Sequence, residues 1–210
     1  CCKINYKCNY GGASTMFIEA LILGILIGLV RRGKIYRLSY VDFNMSPLIY
    51  ISALLYISII VMNLGLLDFN TFLYTAFIIC SYILIGIFLI ANISKKFMFV
   101  PIIGLCSNLL CFIVNDFKFP IDSKAVLNFY GNEMYELLQS GKIRFYIPVE
   151  NAYLSFLGNI INIDKFYGKI ILSIGDIIIS IGIILIIQAI MSDKHIQNRN
   201  RLTFSKNIFR

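Results

Sequence analysis

Long apolar runs with at most one charged residue each constrain this chain more than any other feature. Five such stretches cover residues 16–30, 47–67, 71–93, 97–114 and 174–191. A helix needs about 20 apolar residues to cross roughly 30 Å of hydrocarbon. The first stretch would reach only ~22 Å at 1.5 Å per residue, so it spans only with its neighbouring residues or where the bilayer is thinner. We therefore predict an all-α membrane protein with about five transmembrane helices.

The composition agrees with a membrane protein. Of 210 residues, 59% are hydrophobic and 14% are charged, against about 45–50% and 25% in an average soluble domain. The mean hydropathy is +0.80. These values exclude a soluble globular domain, a disordered chain and a secreted disulfide scaffold. The formal net charge of +8 would suit a nucleic-acid partner, but the positions of the charges explain it more simply.

Basic residues collect on one side of the predicted spans. They lie after the first span, between the third and fourth, and in the tail, as Arg31, Arg32, Lys34, Arg37, Lys95, Lys96, Lys194, Arg199, Arg201, Lys206 and Arg210. By the positive-inside rule this side is the cytoplasm. We predict a multi-pass protein of the cell membrane, with its N-terminus outside and its C-terminus cytoplasmic. No nucleic-acid partner is expected, and the lipid bilayer is the first partner.

The predicted spans divide the chain into five regions. Residues 1–15 are polar and cysteine-rich, and we expect this extension to lie outside the fold. Residues 16–114 form a four-helix membrane region, and residues 115–173 form an external cap. Residues 174–191 are the fifth transmembrane helix, and residues 192–210 are a basic cytoplasmic tail.

The cap is too long to be a simple connection between two helices. Residues 123–141 predict one or two short amphipathic helices, with Ser123 as N-cap, Gly131-Asn132 as a break in the middle and Gly141 as the stop. Residues 142–163 are richer in β-branched and aromatic residues and predict extended or irregular structure. Function concentrates in such segments, so the cap is the first place to look for it, with a passive lid as the alternative.

Polar and small residues recur along the fourth helix at steps of four, three and four. They are Gly104, Asn108, Cys111 and Asn115, and Asp116 follows them. Such a stripe in a membrane helix faces protein or water rather than lipid. One interpretation is contact with a neighbouring helix. The other is a polar pocket open to the outside, with Asn115, Asp116 and Asp176 at its mouth.

Two ionisable residues, Glu19 and Asp176, lie within the predicted spans, both near the outer ends. Asp176 and Ser173 have the spacing of a capping box, which is a structural role. A second interpretation pairs Asp176 with Asp116 as an aspartyl dyad that activates water. The single histidine, His195, lies in the tail. A histidine proton relay, a Ser-His triad and a histidine-ligated metal site in the membrane are therefore excluded.

Small residues are spaced to let helices approach closely. Gly24 and Gly28 share a face of the first helix, Gly104 lies on the fourth, and Gly175 and Gly182 lie on the fifth. We predict that these residues pack the spans together, with dimerisation as an alternative.

Several motifs resemble a family of small five-helix bacterial membrane proteins catalogued as a domain of unknown function. They are the segments 104–120, 156–161 and 173–176 and the basic loop 31–34. The resemblance covers residues 16 to about 191 and implies a bacterial cell membrane. The chain departs from the family pattern at Asn159, where Asp is expected, and at Asn115-Asp116, where Asn-Gly is expected. A lost acid at Asn159 weakens an enzymatic interpretation.

The first functional hypothesis is a non-enzymatic accessory or scaffold subunit. It would bind a membrane protein partner or lipid through the cap and the polar face of the fourth helix. The candidate groove consists of Asn108, Asn115, Asp116, Asn159 and Asp176. The alternatives are a small transporter or channel component and, third, a membrane hydrolase using Asp116 and Asp176. We expect no catalytic set, no cofactor and no metal.

Overall fold

The computed structural model describes residues 12–63, 71–143, 145–165 and 168–193. Over these residues the protein is mostly helical, with a small four-stranded sheet. Three predicted features lie outside the described residues: residues 1–11 of the extension, the link 68–70 with the end of the second apolar stretch, and the tail from residue 194, which contains His195.

The five apolar stretches form helices. They are α1 (Gly12–Val30), α2 (Pro47–Asn63), α3 (Thr71–Ala91), α4 (Phe99–Val114) and, after the cap, α7 (Ile174–Ser192). Helix α1 begins at Gly12 and so includes residues 12–15 of the predicted extension.

Two of these helices are long and apolar enough to cross a membrane, over Phe72–Ala91 and Ile174–Ser192. In the described part of the chain, Met16–Val30, Pro47–Ile59 and Phe99–Val114 are apolar but shorter. By length and composition, α3 and α7 are therefore the candidate membrane spans among the described residues.

Helix α7 packs against α1 on one side and α4 on the other, while α2 packs against α3. Glycines permit the closest approaches. A Cβ on Gly28 would lie 2.5 Å from Sδ of Met191, and one on Gly182 would lie 2.6 Å from Cδ of Pro101. A side chain at either position would overlap its neighbour, so both glycines serve helix packing.

The cap begins after α4 and ends where α7 starts. Its strands are β1 (Phe119–Ile121), β2 (Tyr146–Pro148), β3 (Asn159–Lys165) and β4 (Gly168–Ser173), and its helices are α5 (Ser123–Tyr130) and α6 (Asn132–Gln139). The sheet order is β2-β1-β3-β4. Strand β1 is parallel to β2 and β3, and β3 is antiparallel to β4. Short 3-10 helices at Val149–Asn151 and Ser155–Leu157 connect β2 to β3.

The cap has a hydrophobic core of its own. Ile121, Val126, Met134 and Leu138 are buried together between β1 and the two short helices. Helices α5 and α6 meet at Gly131, whose φ of 87° breaks the helix, in agreement with the predicted break. The N-cap of α5 is Asp122, whose side chain accepts a hydrogen bond from the backbone N–H of Lys124. The prediction of Ser123 as N-cap is therefore wrong by one residue, because the N-cap is the preceding residue.

The all-α prediction describes the helical majority and is incomplete in the cap. The segment expected to be extended or irregular contributes β2 and β3 to the mixed sheet. Strand β3 pairs with β4, which runs directly into α7 at Ser173 and Ile174. The fold is therefore a helical bundle that carries a small α+β cap.

Candidate functional site

The start of α7 is held by a capping box, as the spacing of Ser173 and Asp176 predicts. The backbone N–H of Asp176 donates to Oγ of Ser173 at 3.0 Å, and the backbone N–H of Ser173 donates to Oδ2 of Asp176 at 3.1 Å. Both bonds satisfy donors that a helix start leaves open. The carboxylate also lies at the positive end of the helix dipole.

Asn108 on α4 joins this capping box to the neighbouring helix. Its Nδ2 donates to Oδ1 of Asp176 at 2.8 Å, and Oγ of Ser173 donates to Oδ1 of Asn108 at 2.9 Å. The three residues are 4–8% exposed. We call this ring of hydrogen bonds, made by Asn108, Ser173 and Asp176, the polar lock. It ties α4, the end of β4 and the start of α7 together.

A close approach of the two helices lets Asn108 reach the capping box. A Cβ on Gly104 would lie 2.6 Å from the carbonyl oxygen of Gly175 and 3.0 Å from the backbone nitrogen of Ile179. The backbones of α4 and α7 therefore touch one turn below Asn108. The predicted small faces of Gly104 and Gly175 meet at this contact.

Asn115, at the end of α4, binds the cap loop instead of joining the polar lock. Its Nδ2 donates to the carbonyl oxygens of Cys111 at 2.8 Å and Tyr153 at 2.9 Å, and its Oδ1 accepts from the backbone N–H of Tyr153 at 2.8 Å. Asn115 is 4% exposed. It holds the loop at Leu154, whose φ of 50° is a left-handed conformation rare outside glycine.

Asp116 lies apart from the polar lock. It is exposed, with a φ of 52°, and it lies two residues beyond the end of α4. Both carboxylate oxygens of Asp176 are bonded to Ser173 and Asn108. An aspartyl dyad needs two carboxylates that share a proton, and Asp116 and Asp176 are not arranged in that way.

The backbone of Asn159 lies next to the polar lock. It is paired with Ser173 across β3 and β4, and its carbonyl oxygen accepts from the backbone N–H of Asp122 at 3.0 Å. The structure therefore brings Asn108 and Asp176 together and places Asn115, Asp116 and Asn159 outside their contact. Within the described ranges, no group of three His, Cys, Asp or Glu side chains is arranged to hold a metal ion.

Sequence reasoning missed the second role of Ser173 and the role of Gly158. Ser173 was expected as an N-cap, and its additional bond to Asn108 depends on a helix 65 residues away in the chain. Gly158 follows a 3-10 helix, and a Cβ there would lie 2.7 Å from Cβ of Pro120. This close contact packs the cap loop onto β1. A glycine directly before a β-rich segment was the available signal.

These features define a mostly helical protein with two candidate membrane spans, in which a buried polar lock joins the bundle to a small cap. The chain belongs to DUF5317, a family of unknown function, whose model matches residues 40–188. The resemblance to a family of unknown function is confirmed over this range. The match begins after α1, so the basic loop 31–34 lies before it. No curated protein and no solved structure matches the sequence.

Proposed function

We propose that this protein is a multi-pass integral membrane protein that acts as a non-enzymatic accessory or scaffold subunit and presents its cap to a partner protein. One observation carries the proposal: the polar face of α4 is directed into the protein and attaches the cap. Asn108 bonds to the junction of β4 and α7, and Asn115 bonds to the backbone of Tyr153. The polar side chains of α4 in the candidate groove are therefore occupied by internal contacts. A partner would bind the surface of the cap instead.

The attachment makes the cap a rigid platform. Unpaired polar groups are costly in an apolar surrounding, so a satisfied polar ring favours one arrangement over others. Two elements of the bundle, α4 and α7, are fixed to the cap at its beginning and at its end. A partner would thus bind a preformed surface, and binding would lose little conformational entropy in the cap.

The surface next to Asn115 has the character of a binding site. Tyr153 is 73% exposed and Phe156 is 58% exposed, although the backbone between them is held by Asn115 and a 3-10 helix. Exposed aromatic side chains on a fixed backbone are typical of the residues that dominate protein interfaces. The position beside the end of α4 also suits an aromatic belt at the membrane surface. Replacement of both aromatic residues separates this role from partner binding.

The orientation is part of the proposal, with the cap outside and the basic end in the cytoplasm. Arg31, Lys95 and Lys96 line one cavity together with Asp193, so the basic segments that precede α2 and α4 lie at the end where the tail begins. This grouping supports the positive-inside orientation. In a cysteine-free background, Lys124→Cys should react with an impermeant maleimide in intact cells, and Lys96→Cys only after lysis.

The proposal is tested by gentle extraction of a C-terminally tagged copy from native membranes, followed by mass spectrometry. We expect a stoichiometric partner that is lost in Tyr153→Ala/Phe156→Ala. The matched control is Tyr50→Ala, which removes an exposed tyrosine from α2. A monomer or homodimer without a partner would overturn the proposal. If the double variant still binds the partner, this surface is not the binding site, and the aromatic residues serve as a membrane belt.

A transporter or channel component has weaker support. Its path would follow the polar face of α4, where Asn108 is 5% exposed and both of its side-chain polar atoms are bonded. The hydrolase hypothesis needs Asp116 beside Asp176, and Asp116 instead lies exposed beyond the end of α4.

A further inference from the structure

A second feature of the fold lies at the end of the bundle opposite the cap. A cavity of about 980 Å³ opens between three segments that are distant in sequence. Its walls are residues 40–44 before α2, residues 94–98 between α3 and α4, and the last turns of α7. This volume is at the upper end of the range of ligand pockets, roughly 300–1,000 Å³.

Three positive side chains line this cavity: Arg31, Lys95 and Lys96. Arg31 donates to Oε1 of Gln188 at 2.7 Å, and Nζ of Lys95 donates to the carbonyl oxygen of Asp42 at 2.5 Å. The ammonium of Lys96 lies 5.1 Å from the ring centroid of Phe97. Among the described residues, these three cations contact neutral groups. Their charge is therefore available to an anion.

Two acidic residues, Asp42 and Asp193, also line the cavity, and both are exposed. The formal charge of the lining is thus three positive against two negative. The contact of Lys95 uses the backbone carbonyl of Asp42. An anion between Arg31 and the two lysines would be attracted directly, as in charge-assisted bonds to phosphate oxygens.

The cavity walls are fixed before any ligand binds. Asn92 is fully buried; its Nδ2 donates to the carbonyl oxygen of Asn44 at 2.8 Å, and its Oδ1 accepts from the backbone N–H of Asn44 at 2.9 Å. These bonds attach the segment before α2 to the end of α3. Phe97, on the cavity wall, has a φ of 67°, which is strained for an aromatic residue. Strain of this kind persists where the surroundings fix the backbone.

The last turns of α7 contribute apolar side chains to the lining. Leu185, Ile186, Ala189 and Ile190 form this apolar wall. A lining that combines cations with apolar side chains, at the end of two candidate membrane helices, matches an amphipathic ligand better than a free anion. Basic pockets between membrane helices are known to bind the headgroups of anionic lipids.

We propose that this cavity binds one anionic phospholipid. Arg31, Lys95 and Lys96 hold the phosphate, and the glycerol and upper acyl chain lie against Ile186 and Ala189. The site is distant from the polar lock and from the cap surface. The proposal of lipid binding therefore does not depend on the proposed partner binding. The lipid would fasten the segment before α2, the loop between α3 and α4, and the end of α7 to one another.

The test uses the purified full chain in mild detergent and native mass spectrometry. Dioleoylphosphatidylglycerol and dioleoylphosphatidylcholine are added at equal concentration. We expect the wild-type protein to retain phosphatidylglycerol preferentially. Each cation near an anionic lipid should increase the affinity for that lipid about fivefold. The preference should fall stepwise in Lys96→Gln and Lys95→Gln/Lys96→Gln, and disappear in the triple variant that adds Arg31→Gln.

Two controls separate the site from general charge. Lys118→Gln/Lys124→Gln/Lys142→Gln removes three lysines from the cap and should leave the preference unchanged. Ala189→Phe fills the apolar wall while keeping the cations, and should abolish retention. Circular dichroism and size-exclusion chromatography confirm that each variant is folded.

Three results would overturn the proposal. The first is equal retention of both lipids by the wild-type protein. The second is a preference that survives either the triple variant or Ala189→Phe. The third is competition by glycerol 3-phosphate at the concentration of the lipid, because a soluble phosphate ester would then bind without the apolar wall.

Discussion

The side-chain amide of Asn108 donates a 2.8 Å hydrogen bond to the carboxylate of Asp176 across the contact between α4 and α7. Ser173 bonds to both residues, so the N-cap of α7, the last residue of β4 and the polar face of α4 meet at one point. The attachment of the cap and the packing of the two helices therefore depend on the same three side chains. Substitutions that change one bond at a time separate these contributions.

Replacement of Asp176 should distinguish a structural carboxylate from a chemically active one. In Asp176→Asn the remaining oxygen still accepts from the backbone of Ser173, and rotation of the Asn108 amide presents an acceptor to the new NH₂ group. The rotation breaks the bond that Asn108 accepts from Oγ of Ser173, so we expect a loss of about 1 kcal/mol. Asp176→Leu leaves two buried donors unpaired and should cost roughly 2–4 kcal/mol. Thermal unfolding in detergent by circular dichroism measures both. Equal losses in the two variants would contradict the structural role.

Gly104 should tolerate no side chain, because a Cβ there would lie 2.6 Å from the backbone oxygen of Gly175. Gly104→Ala should cost about 1–3 kcal/mol, since backbone cannot move aside as a flexible side chain would. The matched control is Gly86→Ala on α3, whose Cβ would lie 3.6 Å from Cδ2 of Leu105, an ordinary contact. This control should be neutral or stabilise by up to about 1 kcal/mol. Similar melting temperatures for both variants would show that α4 and α7 are not in backbone contact.

Asn115 should control the mobility of the cap loop more than the stability of the bundle. Asn115→Ala removes two hydrogen bonds to the backbone of Tyr153, so amide exchange in residues 152–157 should accelerate by about tenfold or more, at about 1 kcal/mol for each bond. Exchange in α2 and α3 should not change. Asn128→Ala, an exposed position on α5, is the control. Uniform acceleration across the protein would instead indicate global destabilisation.

The periodicity of α4 predicted that Asn108 and Asn115 share a face, and both side chains are buried. Their partners were not predictable, because Asp176 and Tyr153 are 68 and 38 residues away in the chain. Local patterns report which side of a helix is polar, whereas the neighbour across that side depends on the whole fold. The capping box at Ser173 was predictable because all of its atoms lie within one helical turn.

In the cap, too, features set by neighbouring residues could be predicted, and features set by contacts between distant segments could not. The break at Gly131 follows from a single residue, and the segment was predicted to form one or two short helices. Strand β3 is defined by pairing with β1 and β4, which no pattern within residues 159–165 specifies. The cavity near Lys95 is a third case: its charges were visible as an orientation signal, but its walls come from three segments that meet only in the folded chain.

Arg37 should be the basic residue whose loss most affects folding, although the sequence alone treats it as one of several orientation charges. It is 8% exposed, and its Nη1 donates to the carbonyl oxygen of Met191 at 2.7 Å, near the end of α7. A cation is favourable at a helix C-terminus, so Arg37→Gln should cost about 1–3 kcal/mol. The matched control is Arg32→Gln, since Arg32 is exposed. We expect the free energy of unfolding of that variant to lie within about 0.5 kcal/mol of the wild-type value. Chemical denaturation in detergent micelles compares the two, and equal losses would show that Arg37 contributes only to orientation in the membrane.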